Sequence, residues 1–165
     1  MSMVIQTTMR CMIFRVLPVV IVNFVLALPS PTLASLGSDV TTVQADQARM
    51  KGTLRSTPTS AYTVHEIKAP TGTVVREYVS LAGNIFAVVW QGPFLPDLRQ
   101  LLGSYFEQFS QSAQNLKSKR PRIRGPLLIR EPGLVVQTGG HMRAYFGRAY
   151  IPELVPQGVH IEEIQ

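Results

Sequence analysis

The sequence predicts an α+β domain: an antiparallel sheet of about five strands packed on one long amphipathic helix, plus a short N-terminal helix. Two observations lead to this fold class. Short β-rich runs separated by turn residues occupy residues 61–91 and 127–150, and an apolar stripe with helical spacing lies between them over residues 97–116. Strands, one helix and then strands again is the order typical of α+β domains.

The first 34 residues have the pattern of a secretory signal peptide. Arg10 and Arg15 precede the apolar run 16–28, and small or modest side chains follow up to Ala34. The run is short for a membrane span, which needs about 20 apolar residues. We therefore expect cleavage after Ala34 and export by the general secretory route to the periplasm or beyond. An uncleaved anchor is the alternative, and Met12 is an alternative start to Met1.

Cleavage would leave a mature chain without cysteine, because Cys11 is the only one. Disulfides, thiol nucleophiles and thiolate metal sites are then excluded. Loss of Arg10 and Arg15 also lowers the formal net charge from +6 to about +4. The mature length suits a single domain. Much of the positive excess lies within residues 117–124 and the rest of the chain is close to balanced, so no strongly basic global field is expected.

The mature chain divides into a polar N-terminal segment, residues 35–60, and a single α+β domain, residues 61–165. A short helix is predicted over 42–51, where apolar residues follow helical spacing. Residues 55–60 are interpreted as a linker. Three short strands with tight turns then form an antiparallel meander over 62–68, 73–79 and 85–90. The third is almost wholly apolar, which indicates a central, covered strand.

The helix 97–116 is the clearest element. Asp97 is a good N-cap, and Gln100 three residues later completes a pattern like a capping box. Its apolar stripe consists of Leu98, Leu101, Leu102, Tyr105, Phe106, Phe109, Ala113 and Leu116. Gly103 inside the helix costs about 1 kcal/mol relative to Ala, which close approach to the sheet would explain.

Two or three further strands follow the helix. Runs at 127–130 and 134–137 flank a Glu-Pro-Gly turn, and Gly139-Gly140 predicts another turn before the run 142–150. The tail 159–164 is interpreted as a short edge strand or a frayed end.

Several sequence blocks are similar to a known family, and they spread over the whole mature chain. The blocks are Ala34–Gly37, Val43–Gln47, Ala61–Glu66, Gly72–Val79, Trp90–Pro93, Pro96–Phe106, Gly139–Arg143 and Pro156–Gly158. They resemble an exported proteobacterial family catalogued as domain of unknown function 2844. The resemblance implies an exported single-domain protein. It carries over no activity, no cofactor and no catalytic residue.

His141 and Arg143 are the sharpest candidates for a chemical site. Backbone N–H groups at Gly139-Gly140 could form an anion nest, and period two places His141 and Arg143 on one strand face. In an envelope-acting hydrolase, His141 would be the acid/base and Arg143 the anion holder. The competing and favoured interpretation is an ordinary glycine hairpin followed by a histidine.

A basic segment is the second candidate, and it consists of Lys117, Lys119, Arg120, Arg122 and Arg124. It could dock on anionic lipid or an anionic envelope polymer. It contains no aromatic residue for base stacking, so nucleic-acid binding is not expected. A solvated loop is the more common outcome for such runs.

The remaining candidates are weaker. His65 and Glu66 are adjacent and point to opposite faces of a strand, so they form no dyad. His160 is terminal, no zinc spacing is present, and Ser104 lies inside the helix. The aromatic residues Trp90, Phe94, Tyr145, Phe146 and Tyr150 could floor a ligand groove, although burial in the core is favoured.

The sequence therefore predicts an exported accessory or binding module without catalytic activity, with no metal or cofactor. The hydrolase that uses His141 and Arg143 is one alternative, and docking through residues 117–124 is another. An envelope protein or an anionic envelope polymer is the expected partner.

Overall fold

One antiparallel sheet of seven strands organises the chain, in the order β1-β2-β3-β4-β7-β6-β5. The computed structural model describes residues 36–119 and 125–164. The strands are β1 Thr53–Pro58, β2 Tyr62–Lys68, β3 Val74–Ser80, β4 Ile85–Gly92, β5 Leu127–Glu131, β6 Leu134–His141 and β7 Ala144–Tyr150. The helices are α1 Thr42–Met50, α2 Leu98–Leu102 and α3 Phe106–Lys119. The α+β class, the meander and the short N-terminal helix are confirmed.

Strand β4 lies at the centre of the sheet and is covered on both faces. All six residues from Ile85 to Trp90 are buried. Leu102 and Phe109 of the helical layer belong to the cluster on one face, whereas Ile164 of the C-terminal segment belongs to the cluster on the other. Burying each large apolar side chain contributes about 1.5–3 kcal/mol. The predicted central, covered strand is confirmed.

The long helical segment spans 22 residues but is not continuous. The Asp97 carboxylate accepts hydrogen bonds from the backbone N–H groups of Arg99 and Gln100, as predicted for an N-cap. Gly103 then takes φ +51° and ψ −121°, which ends α2, and a 3₁₀ turn over Gly103–Tyr105 leads into α3. The positive φ, rather than close approach to the sheet, explains this glycine.

Strand β1 corrects the interpretation of residues 55–60 as a linker. Thr53–Pro58 pairs in register with β2 and forms one edge of the sheet. Four of its six residues are polar and five of the six are exposed, as suits an edge strand. Together with α1, whose Val43 is buried in the main core, this strand makes residues 42–58 part of the same fold.

Two predictions in the C-terminal half are wrong. Gly139 and Gly140 continue β6, paired with Phe146 and Tyr145 of β7, and the hairpin turn is instead Met142-Arg143. The tail is neither a strand nor frayed. It makes a 3₁₀ turn over Ile161–Glu163 and buries the Ile164 side chain against the sheet.

Candidate functional site

The sheet face opposite the helices contains an open cavity of about 240 Å³. We call it the Arg148 cavity, and its walls are Val89, Gln91, Gln137, Phe146, Arg148 and Ile164. Strand pairing explains why these residues meet. Val89, Arg148 and Gln137 lie side by side on β4, β7 and β6, and Gln91 and Phe146 form the next pair on the same face.

Arg148 is the charged group of this cavity, and it is partly buried. Its Nε donates to the Gln137 side-chain oxygen at 3.2 Å, and its Nη1 donates to the Ile161 carbonyl at 2.9 Å. Both acceptors are neutral. Among the described residues no carboxylate lies within 4 Å of this guanidinium. The positive charge is therefore not neutralised within the described part of the fold.

Phe146 gives the cavity an exposed aromatic wall. Its side chain is 43% accessible to solvent although it lies in the interior of the sheet. The ring leans toward Gly139 on the neighbouring strand, where an added Cβ would come within 3.0 Å of Phe146 Cζ. A glycine at this point lets the ring lie over the sheet rather than stand upright.

The side chain of Trp90 lies on the helix-facing side of the sheet, behind the cavity. Gly147 also lines the cavity, and a Cβ on Gly147 would be 2.2 Å from Cζ2 of the Trp90 indole. The indole is buried, and its Nε1 has no hydrogen-bond partner in the described structure. The chain has one tryptophan, so this ring reports on the environment of Gly147 and the cavity.

A second polar site is buried between the helical layer and the sheet. Asp46 of α1 and Glu77 of β3 are each 1% exposed, and their carboxyl groups share a hydrogen bond. Gln100 of α2 donates its Nε2 to Asp46 Oδ1 instead of closing a capping box. We call these three residues the carboxyl cluster.

One proton must be shared within the carboxyl cluster. Asp46 Oδ2 and Glu77 Oε2 are buried and receive no other donor in the described structure, and two carboxylates cannot hydrogen-bond without a proton. Burial, the hydrogen bond to Asp46 and its negative charge raise the pKa of Glu77 to about 9. Burial also raises the pKa of Asp46, although Glu77, Gln100 and the Arg49 charge oppose that shift. We therefore assign the proton to Glu77.

The hairpin carrying His141 and Arg143 does not have the predicted geometry. Arg143 lies in the turn with φ +65°, so the two side chains do not share a strand face. Both residues are exposed, and neither lines the Arg148 cavity. The His141 ring nitrogen Nδ1 contacts the Met142 carbonyl at 3.1 Å. The glycine nest is absent because Gly139-Gly140 is strand.

The basic segment is described only in part. Lys117 and Lys119 are exposed in the last turn of α3. Arg120, Arg122 and Arg124 lie outside the described residues, as does the predicted signal segment, residues 1–34. Among the described residues, no helix is both long enough and apolar enough to cross a membrane.

The side chains of the weaker candidates lie apart from one another in the fold. His65 Nδ1 and Ser56 Oγ form a hydrogen bond of 2.8 Å, and burial lowers the pKa of His65. Glu66, on the opposite face of β2, pairs with Arg76 at 2.8 Å. His160 is exposed, and Ser104 lies in the turn between α2 and α3. No group of three or more potential metal ligands occurs among the described residues.

The aromatic candidates separate into core and cavity. Trp90 is core, and Tyr150 packs in the cluster that contains Phe86, whereas Tyr145 is half-buried. Phe94 is 58% exposed beside a second cavity of about 270 Å³, which Gln100 also lines. Trp90 and Phe146 both line the Arg148 cavity, and of these two only Phe146 is exposed.

Two signals point to residues that sequence reasoning missed. Alternation along β7 places Arg148 between Phe146 and Tyr150 on one face. Glu77 falls at the inward position between Val75 and Val79, where a charged residue conflicts with the apolar pattern. Neither signal identifies the partner, because Gln137 and Asp46 come from distant parts of the chain.

The fold is α+β, and the comparison with known families identifies the relatives of the chain. The family model described as a protein of unknown function (DUF2844) matches residues 32–164, and the chain belongs to this family. The predicted resemblance is confirmed. No curated protein and no solved structure matches the chain.

Proposed function

We propose that this protein is an exported binding module without catalytic activity of its own, and that the Arg148 cavity holds its ligand. The observation that carries the proposal is the guanidinium of Arg148 beside the exposed Phe146 ring, in an open cavity. Apolar walls with a few convergent polar groups are the usual composition of ligand sites. The carboxyl cluster is too buried to meet a substrate directly.

The proposed ligand binding is tested on protein recovered from the exported fraction of the cells that naturally produce it. Native mass spectrometry should detect a small molecule that leaves on denaturation. Gln91→Phe fills the cavity from an exposed strand position and should abolish the adduct. Gln111→Phe makes the same change on the exposed surface of α3 and should retain it. An adduct that survives Gln91→Phe would exclude this cavity as the site.

The export half rests on the charged, apolar and small-residue order of residues 1–34. N-terminal sequencing of the protein from periplasmic and cytosolic fractions tests it. We expect the periplasmic form to begin at Ser35. An intact N-terminus retained in the cytosol would contradict export, and an intact N-terminus in the membrane fraction would indicate an anchor.

The absence of catalysis is tested separately through His141. A panel of ester, amide and glycoside substrates should show no turnover above a buffer control. Turnover that His141→Ala removes would contradict the proposal and favour the hydrolase, despite the exposed position of this residue on the hairpin.

Docking to an anionic surface is the second candidate, and the exposed Lys117 and Lys119 at the end of α3 favour it. Binding to anionic vesicles should then weaken steeply as salt is added, because exposed charges are screened within about 10 Å at 0.1 M salt. Charge reversal at Arg120, Arg122 and Arg124 should abolish it. Unchanged binding by that triple variant would remove this candidate.

A further inference from the structure

We propose that the ligand of the Arg148 cavity is a small monocarboxylate with an apolar body. The inference rests on the proposed function and adds the ligand class. It follows from the charge, the free donors and the walls of the cavity.

The charge of the cavity calls for an anion. Arg148 supplies one positive charge, and the nearby acidic residues Glu162 and Glu163 are exposed and lie more than 4 Å from its nitrogens. A guanidinium has five N–H donors, of which the described residues occupy two, through Gln137 and Ile161. No described residue accepts from the other three donors, and we assign these to the ligand.

The free donors suit a carboxylate. The planar guanidinium fork matches the two oxygens of a carboxylate, and such charge-assisted pairs are short and strong. The side-chain amides of Gln91 and Gln137 line the same cavity and can orient the ligand's polar end. A single guanidinium balances one negative charge, so a monoanion fits better than a phosphate dianion.

The walls select the rest of the molecule. Val89, Phe146 and Ile164 present apolar surface next to the charged group, so the ligand needs an apolar portion attached to its carboxylate. The volume of about 240 Å³ is below the roughly 300–1,000 Å³ that is common for ligand pockets. The cavity therefore suits a small organic acid rather than a long acyl chain.

The cavity is also closed on one side by the segment that Arg148 holds. The bond from Nη1 to the Ile161 carbonyl fixes the C-terminal 3₁₀ turn, and Ile164 follows as a cavity wall. Arg148 therefore both binds the ligand and positions one wall, and a variant at this residue needs a companion that leaves the wall intact.

Trp90 fluorescence provides the assay, because the only indole of the chain packs against Gly147 at the cavity. Mature protein is titrated with cyclohexanecarboxylate, and cyclohexanecarboxamide serves as the neutral molecule of the same shape. Neither absorbs where tryptophan is excited. We expect a saturable change in emission with the carboxylate. The carboxamide should bind at least about tenfold more weakly, because the charged hydrogen bonds are lost.

Variants assign the effect to the cavity. Arg148→Lys keeps the charge and loses the fork, so it should weaken carboxylate binding about tenfold. Gln91→Phe, which leaves Arg148 and the C-terminal wall in place, should abolish binding. Arg143→Gln alters an exposed arginine of the hairpin turn and should bind like the wild type. A single cooperative urea-unfolding transition close to that of the wild type shows that each variant is folded.

The outcomes separate the ligand class from the proposed function. Equal binding of carboxylate and carboxamide, or tighter binding of inorganic phosphate, would overturn the monocarboxylate while leaving a binding cavity. Carboxylate binding that survives Gln91→Phe would place it elsewhere and overturn the inference. Absence of binding by any of these probes, together with exported protein that carries no adduct, would overturn both proposals.

Discussion

Replacing Glu77 by glutamine should stabilise the protein, and the gain should grow with pH. The glutamine amide has the shape of the protonated carboxyl group and still offers a donor to Asp46. It has no proton to lose. The wild-type residue must instead stay protonated when folded, because it is buried beside the Asp46 carboxylate.

The sign follows from proton binding in the two states. The pKa of Glu77 is about 9 in the folded protein and 4.5 as the ordinary value expected when unfolded. The folded state therefore binds more protons between these limits, so the stability that is present below pH 4.5 is lost as pH rises toward 9. The loss is about 1.4 kcal/mol per pH unit.

The expected magnitude at neutral pH is large. Two and a half pH units above 4.5 correspond to about 3 kcal/mol at pH 7. Domains of this size have unfolding free energies of about 5–15 kcal/mol. Keeping Glu77 protonated in the folded state at pH 7 therefore removes a substantial fraction of this total.

The groups around Glu77 determine the pH at which the measurement is cleanest. Asp46 reaches it from the helical layer, Gln100 and Arg49 act on Asp46, and His65 is its neighbour on β2. Burial lowers the pKa of His65 below its usual 6.5, so His65 destabilises the fold only at lower pH. Above pH 7, His65 is largely neutral in both states, and the slope belongs to the carboxyl cluster.

Urea unfolding at pH 7.0 and pH 8.5 tests this reasoning. The wild type should lose about 2 kcal/mol between the two values, whereas Glu77→Gln should change little and exceed the wild type by about 3 kcal/mol at pH 7. Glu107→Gln, at a side chain 67% exposed in a surface ion pair, should change stability by less than about 1 kcal/mol. A flat wild-type profile, or a Glu77→Gln variant less stable at pH 8.5, would refute the shared proton.

Three further substitutions test the fold around the site, each by thermal and urea unfolding. Gly147→Ala should lower the free energy of unfolding by about 1–3 kcal/mol and shift Trp90 emission, because its Cβ would be 2.2 Å from the indole. Unchanged stability would contradict that packing. Asp97→Ala should lower the free energy of unfolding by about 1 kcal/mol by removing the α2 N-cap. A variant as stable as the wild type would contradict a role for this cap. Gly140→Ala should cost more than Gly125→Ala, because only Gly140 would place a Cβ 2.2 Å from the Ala144 carbonyl.

Local patterns were sufficient for most elements. The meander strands, the cap at Asp97 and the helical stripe depend on residues near one another in the chain, and the structure confirms them. Edge strand β1 was not predicted, because its exposed polar side chains give it the composition of a linker. The Gly139-Gly140 turn was wrong because glycine also suits a strand over which a neighbouring ring must lie.

Sequence alone determined the family, the α+β class and the central covered strand, because periodicity and turn chemistry act over short distances. Only the tertiary structure decided which polar residues meet. Strand pairing brings Gln137 beside Arg148, and the returning C-terminal segment brings the Ile161 carbonyl to it. Asp46 reaches Glu77 because α1 packs against the sheet. A charge changes its properties when it is desolvated beside a distant partner, and no local pattern in the chain records that meeting.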